Sequence, residues 1–279
     1  MLWRSLVTGV GHTDPALAQA LSAQEQCLEL AAWNEIYYPR VKAIEEDLPW
    51  IEAMLEKAGP GPDDRREAYN WRYRWARLFY RLADRFPGII SLSPYPTMRS
   101  TLRETERYFD HSAAIGSQVR EILKIPLRRM FAAGDRILVI GHSMGSIIAY
   151  DALWELWHGE ANLGRIELFL TLGSPLGMRF VKARLYGFHR NPLNQRFPGN
   201  IRHWINIAAQ GDLTALDPEI KDDFAAMLEQ GMIESIHDIP GIYTYFRNQH
   251  GLNVHRSYGY LAHPEVGRVV AEWWRTDKG

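Results

Sequence analysis

Arg136-Ile137-Leu138-Val139-Ile140-Gly141-His142-Ser143-Met144-Gly145-Ser146-Ile147-Ile148-Ala149-Tyr150-Asp151-Ala152-Leu153 is the stretch on which the reading of this chain turns. Residues 136–140 are a short apolar run that reads as a strand, and residues 146–153 read as a helix. Between them lies a G-x-S-x-G turn with serine at its apex. A turn of this kind holds the serine in a strained backbone conformation that lifts its hydroxyl clear of the sheet. Ser143 is therefore the candidate nucleophile. The glycines at 141 and 145 fit because side chains there are expected to collide with the neighbouring strand or the returning helix. Met144 opens the helix, and its amide, at the positive end of the helix dipole, favours an anion above Ser143.

Downstream of this turn, residues 167–172 read as a buried strand closed by Gly173-Ser174-Pro175-Leu176-Gly177, and residues 202–208 as another, ending at Gln210-Gly211-Asp212. Upstream, residues 2–8 read as the first strand. They run into Gly9-Val10-Gly11-His12 and then Asp14-Pro15, a cap and first-turn pair that opens a helix. Residues 88–92 look like a second strand. Residues 16–87, between those two strands, form a helical insert or cap region. It is interrupted at Pro39 and Pro49 and broken at Gly59-Pro60-Gly61-Pro62. Within it, residues 65–86 place Trp71, Trp75, Leu78, Phe79, Leu82 and Phe86 on one helical face beside Arg74, Arg77, Arg81 and Arg85, a pattern that suits a helix packed on the sheet. Residues 101–133 continue as helix with a kink or restart at Pro126, and residues 265–274 form a closing helix. Strands alternating with helices predict an α/β fold with a mostly parallel central sheet and helices on both faces. Active sites in such sheets lie at the carboxyl ends of the strands.

The chain has 279 residues, 46% of them hydrophobic, which suits one large α/β domain over residues 1–279 better than two. A formal net charge of −1 provides no field to recruit nucleic acid or anionic lipid. Cys27 is the only cysteine, so no intramolecular disulfide forms. No apolar run approaches the ~18 residues of a membrane span, and the opening apolar run is too short for a signal peptide. The expectation is a cytoplasmic protein with no nucleic-acid partner and no stable membrane insertion. No H-E-x-x-H pattern, cysteine cluster, G-x-G-x-x-G or Walker loop is present, so neither metal nor cofactor is expected.

A serine hydroxyl needs a base within hydrogen-bond reach, and the base needs a carboxylate that fixes its tautomer and stabilises its cation. Asp212, just past a predicted strand in a Gln-Gly-Asp turn, is the candidate acid. Three histidines compete as base: His250, His255 and His263. His255 is preferred, because it lies in a segment placed to fold over the carboxyl edge of the sheet, whereas His263, followed by Pro264, resembles the entry to the closing helix. His142 points with the elbow and is expected to pack. The developing oxyanion needs two backbone donors. Met144 supplies one, and Val10, in the Gly9-Val10-Gly11 turn, is the candidate for the other.

Gly141-His142-Ser143-Met144-Gly145, together with Thr171-Leu172-Gly173-Ser174-Pro175-Leu176, resembles the α/β-hydrolase superfamily on its esterase and lipase side. The resemblance covers the predicted first strand and the region from 135 onward. It implies Ser143, Asp212 and His255 as a triad, with Val10 and Met144 as oxyanion donors. Two departures stand out: the usual His-Gly before the oxyanion residue is Thr8-Gly9 here, and the antiparallel strands that often precede it are absent. The expected activity is hydrolysis of carboxylic esters of a small-molecule acyl substrate through an acyl-enzyme. An acyl thioesterase or lysophospholipase with the same triad is the near alternative, and a catalytically silent hydrolase-like binding module the distant one.

Overall fold

The computed structural model describes residues 1–38, 43–69, 74–75, 78–79, 96–110, 114–160 and 164–276. The predicted strand at 88–92, most of the amphipathic helix at 65–86 and the kink at Pro39 lie outside them. In chain order the helices before the sheet are α1 (Leu2–Gly11), α2 (Pro15–Ser22), α3 (Asn34–Tyr37), α4 (Leu48–Leu55), α5 (Pro62–Ala68), α6 (Pro96–Phe109) and α7 (Ile115–Ala133). Then follow β1 (Leu138–His142), α8 (Met144–Gly159), β2 (Ile166–Leu172), α9 (Arg179–Lys182), β3 (Ile201–Ala209), α10 (Ala225–Glu229) and β4 (Ser235–Ile242). A two-residue hairpin pair, β5 (Arg247–Asn248) and β6 (Gly251–Leu252), precedes α11 (Ser257–Leu261) and α12 (Pro264–Arg275).

Strands β1 to β4 form one sheet in that order, all parallel, with Leu138 level with Leu168, Phe169 with Trp204 and Trp204 with Ile236. Parallel pairing in sequential order puts every strand's carboxyl end on one edge, and Ser143, Gly173 and Asp212 follow β1, β2 and β3 there. The two faces carry separate cores. On one, Val139, Phe169 and Trp204 pack with Ile147, Leu153 and Leu156 of α8 and with Val119 and Leu127 of α7. On the other, Leu168, Leu170, Leu172 and Ile207 pack with Leu6 and Val10 of α1 and with Val266, Val269 and Val270 of α12. Alternate side chains of one strand feed opposite cores, as the period of two requires.

Residues 2–8, read from sequence as a strand, are the body of helix α1. Leu2, Trp3, Leu6 and Val7 also recur at helical spacing, and packing against α12 decides between the two readings. Gly9 is not a turn residue but a contact: a Cβ there would stand 2.3 Å from the Leu261 carbonyl oxygen, and one on Gly267 would stand 1.9 Å from that of Gly9. The helical block that follows is therefore not preceded by a strand. Pro49 opens α4 rather than interrupting a helix, and Pro126 lies within α7 without ending it. Strand β4 escaped the sequence reading because Ser235-Ile236-His237-Asp238-Ile239-Pro240 interleaves polar groups and a proline, as suits an edge strand.

A buried polar cluster ties α6, α7 and α8 together. Tyr108 Oη donates to Asp151 Oδ2 at 2.9 Å, the Tyr186 N–H donates to Asp151 Oδ1 at 3.0 Å, and Arg120 Nε donates to Glu155 at 2.8 Å. Burial pushes the Asp151 carboxyl up to about 7, against the hydrogen bonds from Tyr186 and Tyr108 and the charge of Arg120. No helix among the described residues is long and apolar enough to cross a membrane.

Candidate active site

Ser143 sits between β1 and α8 with φ 53° and ψ −128°, the one positive φ among the described non-glycine residues. That conformation is costly for an L-residue and persists because its neighbours enforce it. The Ser143 N–H bonds to the Leu172 carbonyl at 3.0 Å, and its own carbonyl accepts the Ser146 N–H at 3.0 Å and the Ser146 hydroxyl at 2.6 Å. Gly141 is required, since a Cβ there would lie 2.7 Å from the Ser146 Cα. Gly145 is different: its nearest neighbour is the Trp33 indole nitrogen, 3.7 Å from where a Cβ would stand, so no backbone demands glycine. The expectation of a collision holds for the first glycine and not for the second.

The structure brings Ser143, His255 and Asp212 together. His255 Nδ1 lies 2.9 Å from Asp212 Oδ2, and its Nε2 lies 2.8 Å from Ser143 Oγ. A carboxylate only accepts, so Nδ1 carries the proton and Nε2 is free to receive the serine's. The other two candidate histidines are placed elsewhere. His263 is the N-cap of α12, its Nδ1 accepting the Glu265 N–H at 3.0 Å, and burial pushes it down to about 4. His250 is exposed at the β5–β6 turn beside Gln249.

Asp212 is fully buried and held by three kinds of donor: His255, the Thr214 N–H on Oδ1 at 2.8 Å and the Tyr260 hydroxyl on Oδ2 at 2.6 Å. Burial alone would raise its carboxyl, but the His255 charge and these hydrogen bonds hold it below the usual range, so it stays ionised. Tyr260 in turn accepts the Ala209 N–H at 2.8 Å, which locks its hydroxyl hydrogen onto Asp212. Gly173, at φ +55°, leaves room for this cluster: a Cβ there would lie 2.7 Å from Asp212 Oδ2 and 3.0 Å from the Tyr260 hydroxyl. Its neighbour Ser174 hydrogen-bonds Ser146 at 2.7 Å, so the Gly-Ser-Pro-Leu turn braces both elbow and acid.

His142 does more than pack. Its Nε2–H donates to the His255 carbonyl at 2.7 Å, and the two rings lie 4.8 Å apart. Burial, followed by the neighbouring His255 charge, pushes it down to about 3, which keeps it a neutral donor. The His255 loop is further anchored by Thr244 Oγ1 on the Val254 carbonyl at 2.7 Å and by an ion pair between Arg256 and buried Asp47. Sequence reasoning named neither Tyr260 nor the supporting role of His142. A tyrosine five residues past the base on a short helix carries no spacing signal.

Met144 is the first residue of α8, so its N–H has no intrahelical acceptor. Val10 is placed otherwise than expected. It lies in the last turn of α1, fully buried against the α12 core, and the loop meant to present its amide does not exist. Two surface depressions, one among residues 57–67 and Arg247 and one among Phe109 and residues 183–190, include none of Ser143, Asp212 and His255. Among the described residues no group of three or more His, Cys, Asp or Glu could hold a metal ion. Comparison with family models, with curated proteins and with solved structures finds no match to this chain.

Proposed function

We propose that this chain is a serine hydrolase of the α/β-hydrolase type that cleaves carboxylic esters through an acyl-enzyme on Ser143. The observation that carries the reading is the unbroken chain from Ser143 Oγ through the His255 ring to Asp212, with links of 2.8 and 2.9 Å, ending on a serine in a strained elbow. The order Ser, Asp, His along the chain and their position at the carboxyl edge of a parallel sheet support it. In this reading the whole chain is one hydrolase unit, and segment 16–87 forms its cap. That segment brings Trp33 to the elbow and sets the Ala68 carbonyl against Gly211, 2.7 Å from where a Cβ would stand.

The chemistry follows from the geometry. Ser143 Oγ attacks the ester carbonyl carbon as its proton passes to His255 Nε2, and Asp212 stabilises the imidazolium so formed. The tetrahedral oxyanion is held by the Met144 N–H. His255 then gives the proton to the departing alcohol oxygen as the C–O bond breaks. Water then attacks the acyl carbon as it gives a proton to the same nitrogen, and that proton passes to Ser143 Oγ as the bond between the acyl carbon and Oγ breaks and the acid leaves. Acyl thioesters and lysophospholipids would pass through the same acyl-enzyme with a different leaving group.

The test is labelling by a fluorophosphonate together with hydrolysis of short and medium p-nitrophenyl esters, for the wild type and Ser143→Ala. Labelling and turnover confined to the wild type is the expected result. A folded wild type that does neither leaves a non-catalytic binding module in its place.

A further inference from the structure

We infer that the indole N–H of Trp33 is a substrate-contacting donor beside the elbow, taking the acyl carbonyl oxygen jointly with the Met144 amide; this inference rests on the hydrolase reading above. With Val10 enclosed in α1, the Met144 N–H stands as the only donor assigned to an oxyanion, and acyl transfer commonly uses at least two. The Trp33 indole nitrogen lies 3.7 Å from the Cβ position of Gly145, the residue next to Met144 in the first turn of α8. It makes no hydrogen bond to any described residue, although Trp33 is half-buried. Tryptophan nitrogens in such places ordinarily find an acceptor. In this inference that acceptor is the carbonyl oxygen of the substrate bound above the elbow.

The ring is held in place. Trp33 meets Tyr37 edge-on at 5.6 Å and Tyr38 at 6.0 Å. Tyr38 donates to Glu104 at 2.8 Å, the Tyr37 hydroxyl bonds the Glu104 carbonyl, and Arg107 donates to the Tyr37 carbonyl at 2.6 Å, so α6 clamps the segment that carries Trp33. A donor held in place by these rings needs no reorganisation as charge develops, which is the condition for it to favour the transition state over the ground state. Gly145 then has a reason that the backbone does not supply: a branched side chain there would fill the space between the indole N–H and the elbow. The same indole packs against the apolar cluster that contains Met144 and Leu176, so the substrate class is an ester whose acyl part is apolar. No bond to Trp33 is made or broken.

Steady-state hydrolysis of p-nitrophenyl butyrate and the rate of fluorophosphonate labelling are measured for the wild type, Trp33→Phe and Trp33→His, with thermal melts for all three. Trp33→Phe keeps a ring and removes the N–H. Its kcat should fall by about tenfold or more with KM within about twofold, and its labelling should slow by a similar factor because the phosphoryl oxygen occupies the same place. Trp33→His, which keeps a ring N–H, should recover part of the loss. Rates for Trp33→Phe within about twofold of wild type overturn the inference, leaving the ring as packing alone. So does an equal loss in both variants that tracks a lowered melting temperature. A wild type without labelling or turnover overturns the hydrolase reading itself, and this inference with it.

Discussion

Asp212 Oδ2 serves two donors at once, the His255 ring at 2.9 Å and the Tyr260 hydroxyl at 2.6 Å. In the proposed hydrolase, charge given to the tyrosine is withheld from the imidazolium. Tyr260→Phe should therefore concentrate the carboxylate's charge on His255 and move the acid limb of the kcat/KM profile to higher pH. It should also lower kcat about tenfold, because the acid loses a constraint on its position. The deleted hydroxyl orphans the Ala209 N–H as well, at a stability cost of about 1–2 kcal/mol. A lowered melting temperature with an unmoved acid limb would reduce Tyr260 to a structural residue. The grouping of Ser143, Asp212 and His255 was legible in the sequence because a strand-to-helix serine turn, a strand-end aspartate and a loop histidine each carry local marks. Tyr260, His142 and Trp33 act through contacts between distant segments, and nothing in their neighbours announces that.

Helix α1 separates two glycines that the sequence presents as equals. Gly9 touches backbone, with the Leu261 oxygen 2.3 Å from a Cβ, whereas a Cβ on Gly11 would meet only the Ala18 methyl at 3.4 Å. Gly9→Ala should destabilise the fold by about 1–3 kcal/mol by forcing α1 away from α11 and α12. Gly11→Ala should leave stability unchanged within about 0.5 kcal/mol or raise it, since alanine also favours helix. Thermal or denaturant unfolding of the pair checks this, and equal losses would contradict the close packing. Strands β1, β2 and β3 were legible as apolar runs because both faces of the sheet are covered. The seven residues at 2–8 suit strand and helix alike, and only the partner helix at the far end of the chain chooses between them. Strand β4 lies at a sheet edge among the described residues, as β1 does, but its residues alternate with polar groups, carry Pro240 and are only partly buried, so it went unread.

Across the whole molecule, buried titratable groups set opposing dependences of stability on pH. His263 and His142, pushed down to about 4 and about 3 from an ordinary 6.5, stay neutral when folded but take up a proton when unfolded. Stability from them is lost as pH falls below 6.5. Asp151, raised from 3.8 to about 7, holds its proton more tightly when folded, so its contribution is lost as pH rises through that window. The two slopes partly cancel between about pH 4 and 6.5. Melting temperatures at pH 5 and 7.5 should diverge further in Asp151→Asn, in favour of the higher pH, and draw closer in His263→Asn, which keeps a cap on α12. Matching pH differences in wild type and both variants would remove these groups from the account. The contact between Gly9 and Gly267 also bears on how the molecule is made. Helix α1 is made with Leu6 and Val10 bare, and its partner α12 follows only after all four strands of the sheet have been made. The apolar stripe of α1 stays unsheltered over that interval, so the second core closes only once α12 has been made, and a chaperone that binds exposed leucine and valine has its longest opportunity there.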